Sequence, residues 1–241
     1  MSLRRPLHAA HALLTDRSWL LGFALESTGF ALYVTALALA PLTLVQSVAA
    51  GGIGILAFVS ARMSGRHPQG TELAGVLISM LGLLALAISL AGGTGEGTGG
   101  ETDEILLWLG ATAAGAVIAV ASGRRLAARG VAYGIAGGLF FSIGDISVKV
   151  ATQGGVRAAF AVGVVVGYAL GTLFLQLGYQ ERGALTVAGI ATLLTNALPI
   201  AAGSVVLGEP VPSGALGALR ILAFALVTAG AILLARPGKG R

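Results

Sequence analysis

Ionisable side chains within long apolar segments are the residues of this sequence best suited to chemistry. Glu26, Asp145 and Lys149 each lie in such a segment. A charge at the centre of a hydrocarbon layer costs about 2.5–3.5 kcal/mol on insertion scales, so a group retained there is usually functional. Glu26 is expected at a depth of about 12 Å along a helix, where a carboxyl can carry a proton or bind a cation. The alternative is an interfacial or capping glutamate that is hydrogen-bonded to a neighbouring helix.

Asp145 and Lys149 are separated by four residues, which places them on one face of a helix. This spacing predicts a self-neutralising structural pair, although Lys149 can also extend toward the membrane surface. The functional alternative is that Asp145 exchanges Lys149 for a substrate or a proton. Arg220, near the start of the last apolar segment, is expected to extend to the surface or to pair with Glu209.

Uncharged polar residues and helix-weakening residues recur in two parts of the chain. Helices that are interrupted at matching positions in two halves of a chain are typical of the central site of a transporter. For the glycines among these residues, the alternative is that they allow close packing of helices. The candidate pathway residues are Gln46, Gln176, Thr192, Thr195 and Asn196, and the candidate interruptions are Gly51, Gly52, Gly54 and Pro199.

No pattern in the sequence supports catalysis, a cofactor or a metal centre. The chain has no cysteine, and His8 and His11 lack further ligands nearby. The GEGTGG string at 95–100 follows an apolar segment rather than a strand, so a nucleotide loop is not expected there. The sequence therefore predicts a protein that is not an enzyme.

Eight apolar segments organise the chain. Hydrophobic residues make up 56% of the sequence, charged residues 10%, and mean hydropathy is +0.89. Each segment approaches the ~20 residues that a helix needs to cross a bilayer. The fold class expected is all-α, with eight transmembrane helices over 18–40, 42–62, 73–93, 105–122, 130–151, 156–178, 184–207 and 214–235.

The charged residues sort to alternate ends of these segments. Twelve of the 15 basic residues fall on one side if the segments alternate strictly, and the opposite loops are mainly acidic. The positive-inside rule then places both termini in the cytoplasm of a cell whose inner (plasma) membrane holds the protein. The net charge of +5 suits anionic lipid head groups, so no nucleic-acid partner is expected.

An inverted repeat is suggested by aligning residues 33–65 with residues 176–208, which superposes Leu42-Thr43 on Leu185-Thr186. Inverted repeats are common in secondary transporters, and chance alignment of apolar sequence is the alternative. The division expected is an N-terminal segment 1–17, a first repeat 18–93, a linking helix 105–122, a second repeat 130–235 and a tail 236–241.

The glycine-rich run over 92–104 is expected to be a mobile external loop. Two glycine stripes, one over Gly130, Gly134 and Gly138 and one over Gly163, Gly167 and Gly171, are expected to pack helices five and six together.

The stretch from Trp19 to Gln46, together with Lys149 and the LGEP at 207–210, resembles the drug/metabolite transporter superfamily, in particular its NIPA-like and EamA-like members. The resemblance implies a transporter, with magnesium as the NIPA substrate. Phe30 and Tyr33 stand where NIPA proteins typically have Glu and Asn, and Ser47 stands in place of a proline. Family members usually begin with one more helix, and residues 1–17 look like the loop that follows it.

These observations predict a secondary transporter of small metabolites or cations that works by alternating access. The cavity is expected between two four-helix halves, lined by Glu26, Gln46, Asn196 and Asp145, with Glu26 carrying a coupling proton. A magnesium transporter and a non-transporting or degenerate membrane partner protein are the alternatives. The partners expected are the lipid bilayer and an unidentified small solute or cation. Formation of a homodimer is a further possibility that the sequence does not decide.

Overall fold

The computed structural model describes residues 17–49, 70–89, 97–125, 129–181, 184–210 and 213–234, which form helices joined by short connections, with no strand among them. The all-α expectation therefore holds for this part of the chain. The helices begin close to the predicted segments because each apolar run has the length and composition of a membrane helix. They are α1 (Arg17–Leu39), α2 (described over 42–49), α3 (Gly70–Ser89), α4 (Thr102–Arg125), α5 (Arg129–Ala151), α6 (Ala161–Glu181), α7 (Ala184–Val205) and α8 (Gly214–Leu234), with a 3-10 helix (Gly155–Phe160) before α6.

Five stretches of the described residues are long and apolar enough to cross a membrane. They lie in α1, α4, α5, α7 and the continuous stretch that joins the 3-10 helix to α6. These helices make the chain a multi-pass membrane protein. Eight crossings and the inverted repeat stay predictions, because the second predicted segment is described only over 42–49.

The central helix of the structure is α5. It packs against α4, α6 and α7, and most of its residues are buried. By contrast, α1 and α6 leave large apolar side chains such as Leu25 and Val165 exposed. In a bilayer these exposed side chains face lipid at little cost, so α5 is the scaffold and its neighbours separate it from the membrane.

Small residues let α6 approach α5, as the second glycine stripe predicts. A Cβ added at Gly167 would lie 2.6 Å from the Gly144 nitrogen and 2.8 Å from the Phe140 carbonyl oxygen. The other stripe is oriented differently from the prediction. Gly134 and Gly138 face α7, where a Cβ at Gly138 would lie 2.7 Å from the Ala191 carbonyl oxygen. A helix has several faces, and spacing alone does not determine which neighbour each face meets.

Helices α3 and α8 form a second packed pair and make few contacts with the rest of the described bundle. Arg220 of α8 lies against the end of α3, with its guanidinium nitrogens 3.2 Å from the Ser89 carbonyl oxygen and 3.4 Å from its Oγ. A cation at the C-terminus of a helix complements the helix dipole. The predicted pairing of Arg220 with Glu209 is therefore wrong, since Arg220 caps α3 and the Glu209 carboxylate binds elsewhere.

One apolar core lies where α1 ends and α2 begins. It contains Leu37, Leu42, Ile146 and Leu207, all at most 1% exposed. The same end of the bundle carries the connections with Glu101, Asp103, Glu104 and Glu209, so we call it the acidic end. The opposite end, where α1 and α5 begin, is the basic end.

Candidate functional site

A cavity of about 1010 Å³ separates α1 from α6 and α7. It extends from the buried middle of α5 toward the basic end, where Phe23, Tyr179 and Ala188 line it. Six of the predicted candidate residues meet in this cavity, namely Glu26, Gln46, Asp145, Thr192, Thr195 and Asn196. They come from four different helices, so the structure brings together residues up to 170 positions apart (26 to 196).

Helical periodicity explains which residues reach the cavity. Tyr168, Thr172, Leu175 and Tyr179 of α6 line it because positions i, i+4, i+7 and i+11 share one face. Gln176 is one residue past Leu175, about 100° around the helix at 3.6 residues per turn, and is exposed outside the cavity. The structure thus does not place Gln176 with the other candidates.

Asp145 lies at the inner end of the cavity, 2% exposed. The Tyr168 hydroxyl donates a hydrogen bond to its Oδ1 over 2.6 Å. The Tyr33 hydroxyl lies close to the same carboxyl and accepts a hydrogen bond from Gln46 Nε2 over 2.6 Å. Asp145 Oδ2 has no hydrogen-bond partner among the described residues. A buried carboxylate with an unpaired oxygen is costly, so a positive charge is favoured at this position.

Glu26 lines the cavity nearer the basic end than Tyr33, and its side chain is exposed. Asn196 donates from Nδ2 to the Thr192 carbonyl oxygen one turn earlier, at 2.8 Å, so its Oδ1 stays available as an acceptor. The cavity therefore presents carboxylate and amide oxygens.

Lys149 does not pair with Asp145. Its amine instead donates to the carbonyl oxygens of Leu37 at 2.9 Å and Ala40 at 2.8 Å. These carbonyls end α1, where the helix dipole attracts a cation and the unpaired carbonyls need donors. The predicted self-neutralising pair is thus wrong, and Lys149 lies outside the larger cavity.

Glu209 performs the complementary task at the start of α2. Its Oε1 accepts from the Leu42 amide at 2.5 Å, and its Oε2 accepts from the Thr43 amide at 2.9 Å. Gly203 leaves room for this carboxylate, since a Cβ at that position would lie 2.6 Å from Glu209 Oε2. Lys149 and Glu209 thus hold the Ala40-Pro41 turn from both sides, and we call this pair the polar clamp.

Residues 97–101 pack against the clamp. Gly99 donates its amide to the Leu207 carbonyl oxygen at 3.2 Å, and Arg157 donates to the carbonyl oxygens of Gly99 and Gly100 at 2.7 and 2.6 Å. A Cβ at Gly97 or Gly100 would lie 2.3 Å from a backbone oxygen of Leu207 or Val206. The expectation of a mobile loop is therefore wrong over these residues, and their glycines serve close backbone contact. A smaller cavity of about 350 Å³ lies beside them, lined in part by Lys149, Gln153 and Glu209.

Other candidates lie away from the cavity or outside the described residues. Pro199 is buried within α7, which continues through it from Ala184 to Val205, so the predicted interruption does not break the helix. Neighbouring helices in a bundle can compensate for a missing backbone donor. Gly51, Gly52, Gly54, His8 and His11 lie outside the described residues.

Tyr33, Tyr168 and Glu209 are the site residues that sequence reasoning missed. Tyrosine is an ordinary residue of apolar helices, and nothing in the spacing links Tyr33 to Tyr168. The one available signal was at Tyr33, which stands where NIPA proteins typically have Asn. The structure shows that its hydroxyl lies beside Asp145.

The lining of the larger cavity is acidic and aromatic. Among the described residues that line it, two are carboxylates and none is basic. Six are aromatic, namely Phe23, Phe30, Tyr33, Phe141, Tyr168 and Tyr179. Carboxylates attract cations, and aromatic faces attract them through the ring quadrupole.

Comparison with known proteins supports a membrane transporter. The chain is 26% identical to the probable magnesium transporter NIPA9 of Arabidopsis thaliana, in an alignment of 264 residues that covers 97% of this chain and 73% of that protein. No protein-family model matches the chain, and no solved structure gives a significant match.

Proposed function

We propose that the protein is a secondary transporter that moves cations across its membrane through the larger cavity. The observation that carries this proposal is the cavity's lining, with Glu26 and Asp145 and no basic side chain among its described residues. A low-dielectric cavity with this charge attracts cations and repels anions. The similarity to NIPA9 agrees with a transport function.

Alternating access is the mechanism that we propose. The cavity reaches toward the basic end, while the polar clamp and the apolar core around Leu42 close the acidic end. Rocking of the first half (α1–α4) against the second (α5–α8) would open the acidic end and close the basic one. By the positive-inside rule, the basic end is the cytoplasmic one.

Two cation classes follow from separate observations. Magnesium prefers oxygen ligands and keeps part of its hydration shell, which the carboxylate and amide oxygens and the size of the cavity allow. The similarity to NIPA9 favours this ion. The six aromatic side chains favour an organic cation.

Uptake into proteoliposomes tests the proposal. Magnesium is followed with an enclosed indicator, and tetraphenylphosphonium and an organic anion are offered in parallel. We expect uptake of at least one of the cations and none of the anion. Glu26→Gln should lower the uptake at least 10-fold, because it removes one of the two cavity carboxylates.

Glu181→Gln is the matched control, since this carboxyl is exposed outside the cavity and lies 3.9 Å from Arg129. Its uptake should match that of the unmodified protein. Absence of any cation flux through correctly inserted protein would contradict the proposal and leave the non-transporting membrane partner. Equal loss in both variants would exclude a specific role for Glu26.

A further inference from the structure

Two carboxyls at different depths share the larger cavity, and their surroundings differ. Glu26 is exposed. Asp145 is 2% exposed, and the hydroxyls of Tyr168 and Tyr33 lie beside its carboxyl. Glu26 and Tyr33 are seven residues apart on α1, so Asp145 lies beside a level of the helix about 10 Å deeper than Glu26.

The groups that face Asp145 leave one position of its carboxyl unfilled. Tyr168 donates to Oδ1. Tyr33 accepts from Gln46, so the Tyr33 hydroxyl proton is free to point toward the carboxyl. Oδ2 has no hydrogen-bond partner among the described residues, although an ionised carboxylate offers about four acceptor positions.

Charged side chains near Asp145 do not supply the missing positive charge. Lys149, one turn farther along α5, donates to carbonyls at the end of α1. Glu26 is also acidic and lies toward the basic end. Tyr33 on α1, Gln46 on α2 and Tyr168 on α6 are neutral, and the residues of α7 that line the cavity are threonine, asparagine and alanine.

We infer that Asp145, rather than Glu26, binds the coupling ion, and that this ion is a single small monovalent cation, a proton or Na⁺, held at Oδ2. One positive charge neutralises one buried carboxylate. Na⁺ would find further oxygen ligands in the two phenols and the Gln46 amide. Glu26, nearer the basic end, then faces the transported cation. This inference rests on the proposed function, because a coupling ion presupposes transport.

Carbodiimide modification tests the ion site without a transported substrate. Dicyclohexylcarbodiimide reacts with protonated carboxyls in apolar surroundings, and the intact mass of the protein counts the adducts. We expect an adduct that is lost in Asp145→Asn and retained in Glu26→Gln. Adduct formation should fall at least threefold as pH rises, if the ion is a proton. Protection by Na⁺ at constant pH, with choline ineffective, would identify Na⁺ instead.

An ion-dependent adduct that is lost in Glu26→Gln and kept in Asp145→Asn would overturn the inference, as would an adduct at Asp145 insensitive to both pH and Na⁺. These outcomes do not depend on flux, so they are distinguishable from failure of the proposed cation transport. As a second readout, the cation accumulation driven by a pH or Na⁺ gradient should fall at least 10-fold in Asp145→Asn.

Discussion

At the residue scale, the carboxyl of Asp145 depends on hydroxyl groups from other helices. The Tyr168 hydroxyl donates to Oδ1 at 2.6 Å from α6, and the Tyr33 hydroxyl lies near it from α1. A hydrogen bond to a charged group contributes about 1.5–3 kcal/mol to the free energy of unfolding. A buried acceptor that loses its donor destabilises the protein, because it stays desolvated without a partner. The orientation of α6 against α5 is therefore linked to this one contact.

Replacing the hydroxyl of Tyr168 should lower stability. We expect Tyr168→Phe to reduce the free energy of unfolding by about 1.5–3 kcal/mol, because Asp145 Oδ1 loses its donor. Thermal unfolding of the purified protein in detergent, followed by circular dichroism, measures the change.

Tyr179→Phe is the control for this prediction, since Tyr179 lines the same cavity on the same face of α6, about 16 Å farther along the helix, and its hydroxyl does not bond to Asp145. Its stability should stay within about 0.5 kcal/mol of the unmodified protein. The loss caused by Tyr168→Phe should shrink in an Asp145→Asn background, where the acceptor is neutral. An equal loss in both backgrounds would show that the hydroxyl acts elsewhere.

At the element scale, α5 owes its central position to small residues that face two different neighbours. Gly167 of α6 meets the α5 backbone, while Gly138 of α5 meets α7. Within a bilayer no hydrophobic force drives helices together, so close backbone approach is what holds them. The length of each helix was predictable from its apolar run, because about 30 Å of hydrocarbon sets it. The sequence did not predict which neighbouring helix each glycine face contacts, as the wrongly assigned stripe at Gly134 and Gly138 shows.

Adding a methyl group at the α5–α6 contact should separate the two helices. A Cβ at Gly167 would lie 2.6–2.8 Å from backbone atoms of Gly144 and Phe140, which cannot move aside as a side chain can. We expect Gly167→Ala to destabilise the protein by about 1–3 kcal/mol, the usual cost of overpacking. Size-exclusion chromatography after heating measures the loss of stability as a decrease in the fraction of protein that stays monodisperse.

Gly110→Ala provides the comparison at a site on α4 where nothing lies within 4 Å of the added Cβ. It should be neutral or stabilising, because alanine is the better helix former by about 1 kcal/mol. Equal losses at both positions would exclude the packing explanation.

At the scale of the whole molecule, charged groups of the second half hold the backbone of the first half at the acidic end. Lys149 and Glu209 bind the two sides of the Ala40-Pro41 turn, and Arg157 holds residues 99 and 100 against it. Helix dipoles explain the arrangement, with a cation at the end of α1 and an anion at the start of α2. We therefore propose that these contacts between the halves close the cavity at the acidic end.

Accessibility of the cavity from each side tests this closure. The chain has no cysteine, so Thr172→Cys introduces a lone thiol on the cavity face of α6. A membrane-impermeant methanethiosulfonate reagent should label it from the basic end at least 10 times faster than from the acidic end. Adding Glu209→Gln should raise the acidic-end rate at least fivefold, because a neutral amide holds the α2 amides less strongly.

Leu173→Cys is the control, since this neighbouring position is 50% exposed and does not line the cavity. Its thiol should react slowly from both ends. Equal labelling of Thr172→Cys from the two ends, or no effect of Glu209→Gln, would contradict the closure.

Composition and spacing alone determined that this chain is a helical membrane protein and that Glu26, Gln46, Asp145 and Asn196 are its notable polar residues. Hydrocarbon thickness and the cost of buried charge act on each segment independently, so they can be read along the sequence. Only the tertiary structure decided that Lys149 and Glu209 cap helices, that Gln176 faces away and that two tyrosines surround Asp145. Those outcomes depend on how helices rotate and approach one another, which is set by contacts between residues far apart in the chain.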